Sequence, residues 1–238
     1  MEAVIKVSNL VQGKGQRLVL NGIDFEVMPG ECFGVFGTRG AGKTSLLHIL
    51  AGIDSFRSGE VTVLGCNVRT NESFKASLGL VTQARSLFLD LTAYENLDFF
   101  AALKNAPRSR IDQVSRSLAL DECLDTPVGS LDAGLFQRLS LACALLNAPQ
   151  MLIADELIKD IDLDSRQILL TALGNFLSGG GTCVWGFSDI GCCPHMSRVG
   201  WLEEETLSIL SPEQAAREWE RRLRQVAANG SGRDEDHA

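Results

Sequence analysis

Cys32-Phe33-Gly34-Val35-Phe36 runs directly into Gly37-Thr38-Arg39-Gly40-Ala41-Gly42-Lys43-Thr44, and Ser45-Leu46-Leu47-His48-Ile49-Leu50 follows. The first five residues are nearly all apolar, the pattern of a strand buried on both faces of a sheet. Thr44 to Leu50 predicts a helix, stopped by Gly52. The segment between them has the spacing G-x-x-x-x-G-K-[ST], placed between strand and helix as phosphate binding requires. Its glycines let backbone N–H groups turn inward around an anion, and the positive end of the helix adds to that field. Gly37 to Ser45 is therefore a candidate phosphate cradle. Lys43 would reach the terminal phosphates and the Thr44 hydroxyl would bind Mg²⁺.

Outward from this loop the pattern alternates. Val4 to Val7, Leu18 to Leu20 and Ile23 to Val27 predict strands, separated by Gly13, Gly15 and Asn21-Gly22. Val61 to Val68 predicts another. From about Ala93 to Leu124 the spacing of Leu97, Phe100, Ala101 and Leu103 is helical, and Leu135 to Leu146 reads as a further helix. Met151 to Ala154 is a second buried strand, and Thr182 to Phe187 with Val199 to Leu202 complete the sheet. Ser211-Pro212-Glu213-Gln214 is a capping box with proline at the first helical position. The helix it opens carries Glu218 with Arg222 and Glu220 with Arg224, each pair four apart. It reads as a solvated surface helix, with a partner-binding helix as the alternative. Strands, then helices, then strands again indicate an α/β core with a helical insertion.

Composition narrows the function classes. With 22 Lys and Arg against 30 Asp and Glu, the net charge of −8 disfavours non-specific binding to nucleic acid or an anionic membrane surface. No apolar run is long enough for a membrane-spanning helix, and the first residues do not read as a signal peptide. The seven cysteines are odd in number and lie in apolar segments, which predicts buried free thiols in a reducing, cytoplasmic setting. Cys192-Cys193-Pro194-His195 makes a poor metal site, because adjacent cysteines sit awkwardly around one tetrahedral ion.

The order of motifs resembles the ATP-binding domain of ABC transporters, from about Val4 to Leu210. Ser58-Gly59-Glu60-Val61 is similar to a strand start of that family, and Leu80-Val81-Thr82-Gln83 to its Q-loop. Leu91-Thr92-Ala93-Tyr94-Glu95-Asn96-Leu97 matches the start of its helical subdomain. The continuation Asp98 to Leu103 has the flavour of drug and natural-product exporters. Met151 to Glu156 resembles its Walker B strand. The resemblance implies a P-loop NTPase (RecA-like) α/β core with an N-terminal antiparallel β subdomain and a helical subdomain at about 84–148. The ATP-binding domain would cover 1–210, with a C-terminal helix at 211–228 and a disordered tail at 229–238. It also implies that Gln83 and Asp155 join Thr44 in holding Mg²⁺, that Glu156 is the general base, and that Asp162 is the D-loop aspartate.

The sequence departs from the family at four places. The family's signature L-S-G-G-Q falls on Leu131-Asp132-Ala133-Gly134-Leu135. Asp132 is a good helix N-cap, but its carboxylate would face the triphosphate held by a second protomer. Two unit charges about 4 Å apart repel by about 4 kcal/mol at an effective dielectric near 20. Ser188 stands where the family has its H-switch histidine, which would hydrogen-bond the γ-phosphate, and serine is expected to be too short to reach that point without a bridging water; His195 reads as a surface residue. No aromatic precedes Phe25 to stack on adenine. Leu157 replaces the usual proline.

Together these features imply an ATP-binding subunit of an ABC transporter, of exporter type, peripheral to the membrane through a separate membrane-spanning subunit. The damaged signature implies pairing with a second ABC ATP-binding subunit in a heterodimer, and hydrolysis impaired in the isolated chain. The alternative is a non-hydrolysing ATP sensor that dimerises with ATP to regulate or assemble a complex. A soluble P-loop kinase leaves the series Gln83, Leu131 to Arg138 and Asp155-Glu156 unexplained.

Overall fold

A computed structural model of the chain describes residues 2–84 and 86–230, with the side chains of Lys14 and of residues 226–230 outside that description. In chain order, β1 (Ile5–Lys14), β2 (Arg17–Val27) and β3 (Cys32–Phe36) precede α1 (Lys43–Leu50). Next come β4 (Ser58–Val63), β5 (Cys66–Asn67) and β6 (Leu78–Val81). Three helices follow: α2 (Ala93–Leu103), α3 (Ser109–Ser117) and α4 (Ala133–Leu145). The chain then makes β7 (Met151–Asp155), α5 (Leu163–Ser178), β8 (Thr182–Phe187), β9 (Arg198–Glu203), β10 (Thr206–Leu210) and α6 (Pro212–Gly230).

Two sheets form. The smaller is antiparallel with strand order β2-β1-β4-β5, and the larger has the order β10-β9-β3-β8-β7-β6. In the larger sheet β9, β3, β8, β7 and β6 run parallel, and β10 closes one edge antiparallel to β9. β3, β7 and β8 are buried along their whole length, as parallel strands covered on both faces require. One core joins the antiparallel sheet and α1 to one face through Leu10, Phe33, Val35 and Leu47. The other lies under the helical insertion, α5 and α6, around Phe36, Trp185, Leu139 and Leu169. Fully burying side chains of this size stabilises by roughly 1.5–3 kcal/mol each.

The helices start where their caps dictate. Thr92 and Glu95 form a reciprocal capping box at α2, satisfying two otherwise orphaned backbone donors. Asn96, fully buried, accepts from the Phe88 N–H at 2.9 Å and donates to the Phe88 and Thr92 carbonyls, each at 3.0 Å. It thereby anchors the loop before α2 with no unmet polar group. The helical stretch expected from Ala93 to Leu124 is broken after Leu103, where Asn105 takes φ +52° and Pro107 follows. α5 and β10 are additional elements, and Leu78–Val81 is an edge strand that delivers Gln83. Six of the seven cysteines are buried and none is bridged; Cys66 is the half-buried exception.

α6 departs from a solvated helix. Its inner face buries Ala215 and sets Trp219 against Phe36 (5.5 Å, edge-on) and Trp201 (6.4 Å). Arg222 lies over the Trp201 ring and pairs with Glu203 and Glu218. The helix extends to Gly230, so the tail expected from residue 229 begins as helix, and residues 231–238 lie outside the described residues. Trp219→Ala should lower unfolding free energy by about 2 kcal/mol, a half-buried share of the usual aromatic deletion cost. Urea denaturation checks this, and an unchanged midpoint would mean that α6 contributes nothing to the core.

Candidate functional site

The loop Gly37–Gly42 leaves the end of β3 and feeds α1. Gly42 takes φ +107°, and a Cβ there would come within 3.0 Å of Val19, so the turn into the helix is closed to other residues. No side chain caps α1 and no acidic residue sits in its first turn. Its first N–H groups and positive dipole end are thus available to an anion. A cleft of about 590 Å³ opens here, lined by Gly40 to Ser45, by Arg17, Leu18 and Val19 of β2, and by Glu204 and Glu205 of the β9–β10 turn. That volume suits a nucleotide-sized ligand.

Lys43 is 7% exposed, and its Nζ donates to the carbonyls of Gly37 (2.8 Å) and Thr38 (3.3 Å). It also lies 3.6 Å from Glu156 Oε1. Burial pulls its ammonium below the ordinary lysine value, opposed by the charges of Glu156 and Asp155. Thr44 Oγ1 donates to Asp155 Oδ2 at 2.6 Å, tying the start of α1 to the end of β7. Asp155 is 3% exposed, and its Oδ1 has no hydrogen-bond partner among the described residues. Burial raises this carboxyl above the usual aspartate value, the Thr44 hydroxyl opposes that, and Glu156 adds to it. An orphaned carboxylate oxygen beside a hydroxyl is a hard-oxygen donor set, and it fits a magnesium ion.

Glu156 adopts φ +55°, outside the usual range for a side-chain-bearing residue. Its N–H donates to the Gly186 carbonyl at 2.8 Å, and its own carbonyl accepts from Lys159 N at 3.2 Å. The carboxylate is 9% exposed and occupied on both oxygens. Oε1 faces Lys43 and Lys159 (3.9 Å), while Oε2 accepts from Ser188 N at 3.2 Å and Ser188 Oγ at 3.1 Å. Ser188 therefore reaches Glu156 directly, which is a different contact from the γ-phosphate point that serine is expected to be too short to reach. Lys159 was invisible to motif reading, although a lysine three residues after the carboxylate, across one turn, was the available signal. His195 is exposed and stacks on Trp185 at 6.4 Å.

The remaining predicted residues stand elsewhere. Val81 pairs with Ala154, so Gln83 emerges beside the end of β7, exposed, with no hydrogen bond to Thr44 or Asp155 among the described residues. Of Leu131 to Leu135, Leu131 precedes α4, Asp132 is its N-cap and Ala133 to Leu135 open it, far along the chain from the loop. Asp132, exposed, accepts from Leu135 N at 2.7 Å and caps the helix. Gly134 is packed so that a Cβ would sit 2.2 Å from both Asp162 Oδ2 and Ser165 Oγ. Asp162 in turn caps α5 through Ser165 N at 2.8 Å, and this hydrogen bond holds its carboxyl below the usual range. Phe25, the first aromatic ring, is stacked on Phe33 at 5.1 Å within the core and does not line the cleft.

A family model described as ABC transporter matches residues 20–159, more than half of the chain. The chain is similar to the Nod factor export ATP-binding protein I of Rhizobium meliloti (strain 1021), 35% identical over 183 residues. That match covers 75% of this chain and 55% of the relative. The protein of the same description from Rhizobium sp. (strain N33) is 34% identical over 188 residues, covering 77% and 62%. The chain thus spans between half and two thirds of these relatives. In fold it is similar to a dimeric ATP-binding cassette in a post-hydrolysis state bound to ADP and Pi (TM-score 0.81, 21% identity, 87% of this chain and 98% of that one). It is also similar to part of a bacterial Atm1-family ABC exporter with ATP bound (TM-score 0.81, 23% identity, 92% and 41%).

Lys43→Ala removes the one ammonium held inside the phosphate loop. Affinity for a nucleoside triphosphate analogue should fall at least about tenfold, or 1.4 kcal/mol. Fluorescence titration of both forms measures it, and equal affinities would refute the assignment of this loop.

Proposed function

The chain belongs to the ABC transporter family, and on that premise we propose that it is the ATP-binding subunit of an exporter, working with a separate membrane-spanning subunit. The observation that carries this reading is the junction of Lys43, Thr44, Asp155 and Glu156 at the ends of β3 and β7. Gly37 to Ser45 cradle the phosphates of ATP, and Lys43 leaves the carbonyls of Gly37 and Thr38 to neutralise them. Thr44, Asp155 and Gln83 would hold Mg²⁺, whose chemistry is to offset phosphate charge as the terminal phosphoryl group is transferred. Glu156 orients the attacking water and takes its proton. Ser188 holds that carboxylate in place.

Partner binding is supported by apolar surface. Phe88, Phe99, Leu103 and Ile53 are 46%, 44%, 66% and 53% exposed. Ile53 lines a cleft of about 360 Å³ whose wall also includes Leu87, Phe100, Thr82 and Ser86, the last two on either side of Gln83. Exposed apolar surface of this kind marks a protein interface. Among the described residues no helix is long and apolar enough to cross a membrane, so the transport pathway is assigned to the partner.

Asymmetry follows from Asp132. In a head-to-tail pair its carboxylate would meet the partner's triphosphate, which favours a heterodimer whose second subunit supplies an intact signature. The isolated chain should then hydrolyse ATP about 10²–10³-fold more slowly than a fully equipped pair, since it lacks one positioned group and a sound facing signature. Rapid turnover by the isolated chain, abolished by Glu156→Gln, would overturn this reading of Asp132 and Ser188. A second reading, a non-hydrolysing ATP sensor, is favoured by the full occupation of both Glu156 oxygens; ATP binding with no hydrolysis even beside the partner would select it.

Restoring Asp132→Ser together with Ala133→Gly should tighten ATP-driven dimerisation and leave the monomer's own ATP affinity unchanged. Sedimentation with and without ATP, in one buffer, gives both quantities. Tighter monomer binding with no better dimerisation would remove this segment from the facing site.

A further inference from the structure

Glu156 faces two ammonium groups, and only one of them belongs to the phosphate loop. Lys43 arrives from the start of α1; its Nζ is 3.6 Å from Oε1 while it also donates to the Gly37 and Thr38 carbonyls. Lys159 arrives from the turn after β7, 3.9 Å from the same oxygen. Its backbone N–H closes that turn on the Glu156 carbonyl at 3.2 Å. The two lysines are thus held by different elements, and the departure of one leaves the other in place.

A triphosphate in the loop needs the Lys43 ammonium. When Lys43 turns to it, Glu156 loses the cation 3.6 Å away and remains a carboxylate only 9% exposed, next to several new negative charges. A buried charge stripped of its partner is strongly destabilising. Ser188 supplies hydrogen bonds to Oε2 but no charge. We propose that Lys159 is a positioning residue that takes over charge compensation of Glu156 when Lys43 transfers to the nucleotide, so that binding ATP does not strand the carboxylate. The inference rests on the assignment of the phosphate loop to ATP, but it is independent of whether Glu156 acts as the base. The role assigned to Lys159 is exerted through Glu156, the carboxylate its Nζ faces at 3.9 Å.

The test is a double-mutant cycle read in binding alone, with the full chain and a non-hydrolysable ATP analogue with Mg²⁺. Lys159 is 37% exposed, so solvent screens part of its effect. Lys159→Ala should weaken analogue binding about fivefold, a size set by a partly screened charge pair. In a Glu156→Gln background the same change should have no effect, because no carboxylate remains to be stranded. Lys159→Arg should bind as the wild type does. Equal affinity of wild type and Lys159→Ala would overturn the proposal. So would an equal loss in both backgrounds, which would mark Lys159 as a structural or a general long-range charge. Circular dichroism of each variant checks that the turn still folds, and Lys159→Gln replaces the alanine variant if it does not. Lys43→Ala separates the two readings. If it binds as the wild type does, the phosphate-loop assignment falls and takes this inference with it. If it loses binding while Lys159→Ala does not, this inference alone falls.

Discussion

Three parallel strands end level with one another, and the site depends on that register. Phe36 of β3 pairs with Phe187 of β8, and Asp155 of β7 pairs with Gly186 of the same strand. The loop after β3, the carboxylates of Asp155 at the end of β7 and Glu156 just after it, and Ser188 after β8 therefore emerge side by side at the C-terminal ends of these strands. Parallel pairing is held by backbone hydrogen bonds whose spacing the side chains do not alter, so the relative height of these groups is fixed before any of them interacts. Thr44 and Asp155, 111 residues apart in sequence, meet at 2.6 Å for this reason.

The treatment of helix starts separates two surfaces. α4 and α5 each begin with an aspartate whose carboxylate accepts from its own first turn, so their positive ends are internally satisfied. These two caps are packed together, with Gly134 leaving space for Asp162 and Ser165. α1 begins at Gly42 with no side chain over its N–H groups. One helix thus leaves its field open to a ligand, whereas two others have theirs answered within the chain.

The sheet core and phosphate loop were legible because burial on both faces and the strict glycine spacing leave short, unambiguous patterns. Cys32 to Phe36, Met151 to Ala154 and Thr182 to Phe187 coincide with strands for that reason. The edges were less legible. β10 is exposed or half-buried throughout, without strict alternation, and its place is set by pairing with β9. Leu163–Ser178 is a helix whose first residue, Leu163, is 81% exposed, which blurs its apolar stripe. Residue positions at the site were legible where a motif names them and obscure where the geometry of the turns sets them. That Ser188 touches Glu156 depends on the turn after β7 and its positive φ, which no local pattern of sequence encodes. Lys159 is hidden in the same way.

Phe36 is the last residue before the phosphate loop, and the ring that covers its outer edge belongs to Trp219, 183 positions later. The strand that carries the loop is therefore braced from behind by the final helix. A boundary drawn at the end of β10 would leave Phe36 and Trp201 facing water in place of an aromatic neighbour. The smallest piece of this chain that keeps its anion-binding loop on a solid footing accordingly includes α6 at least through Trp219 and Arg222, and the place where the chain is cut matters to a site at the opposite end of the sequence.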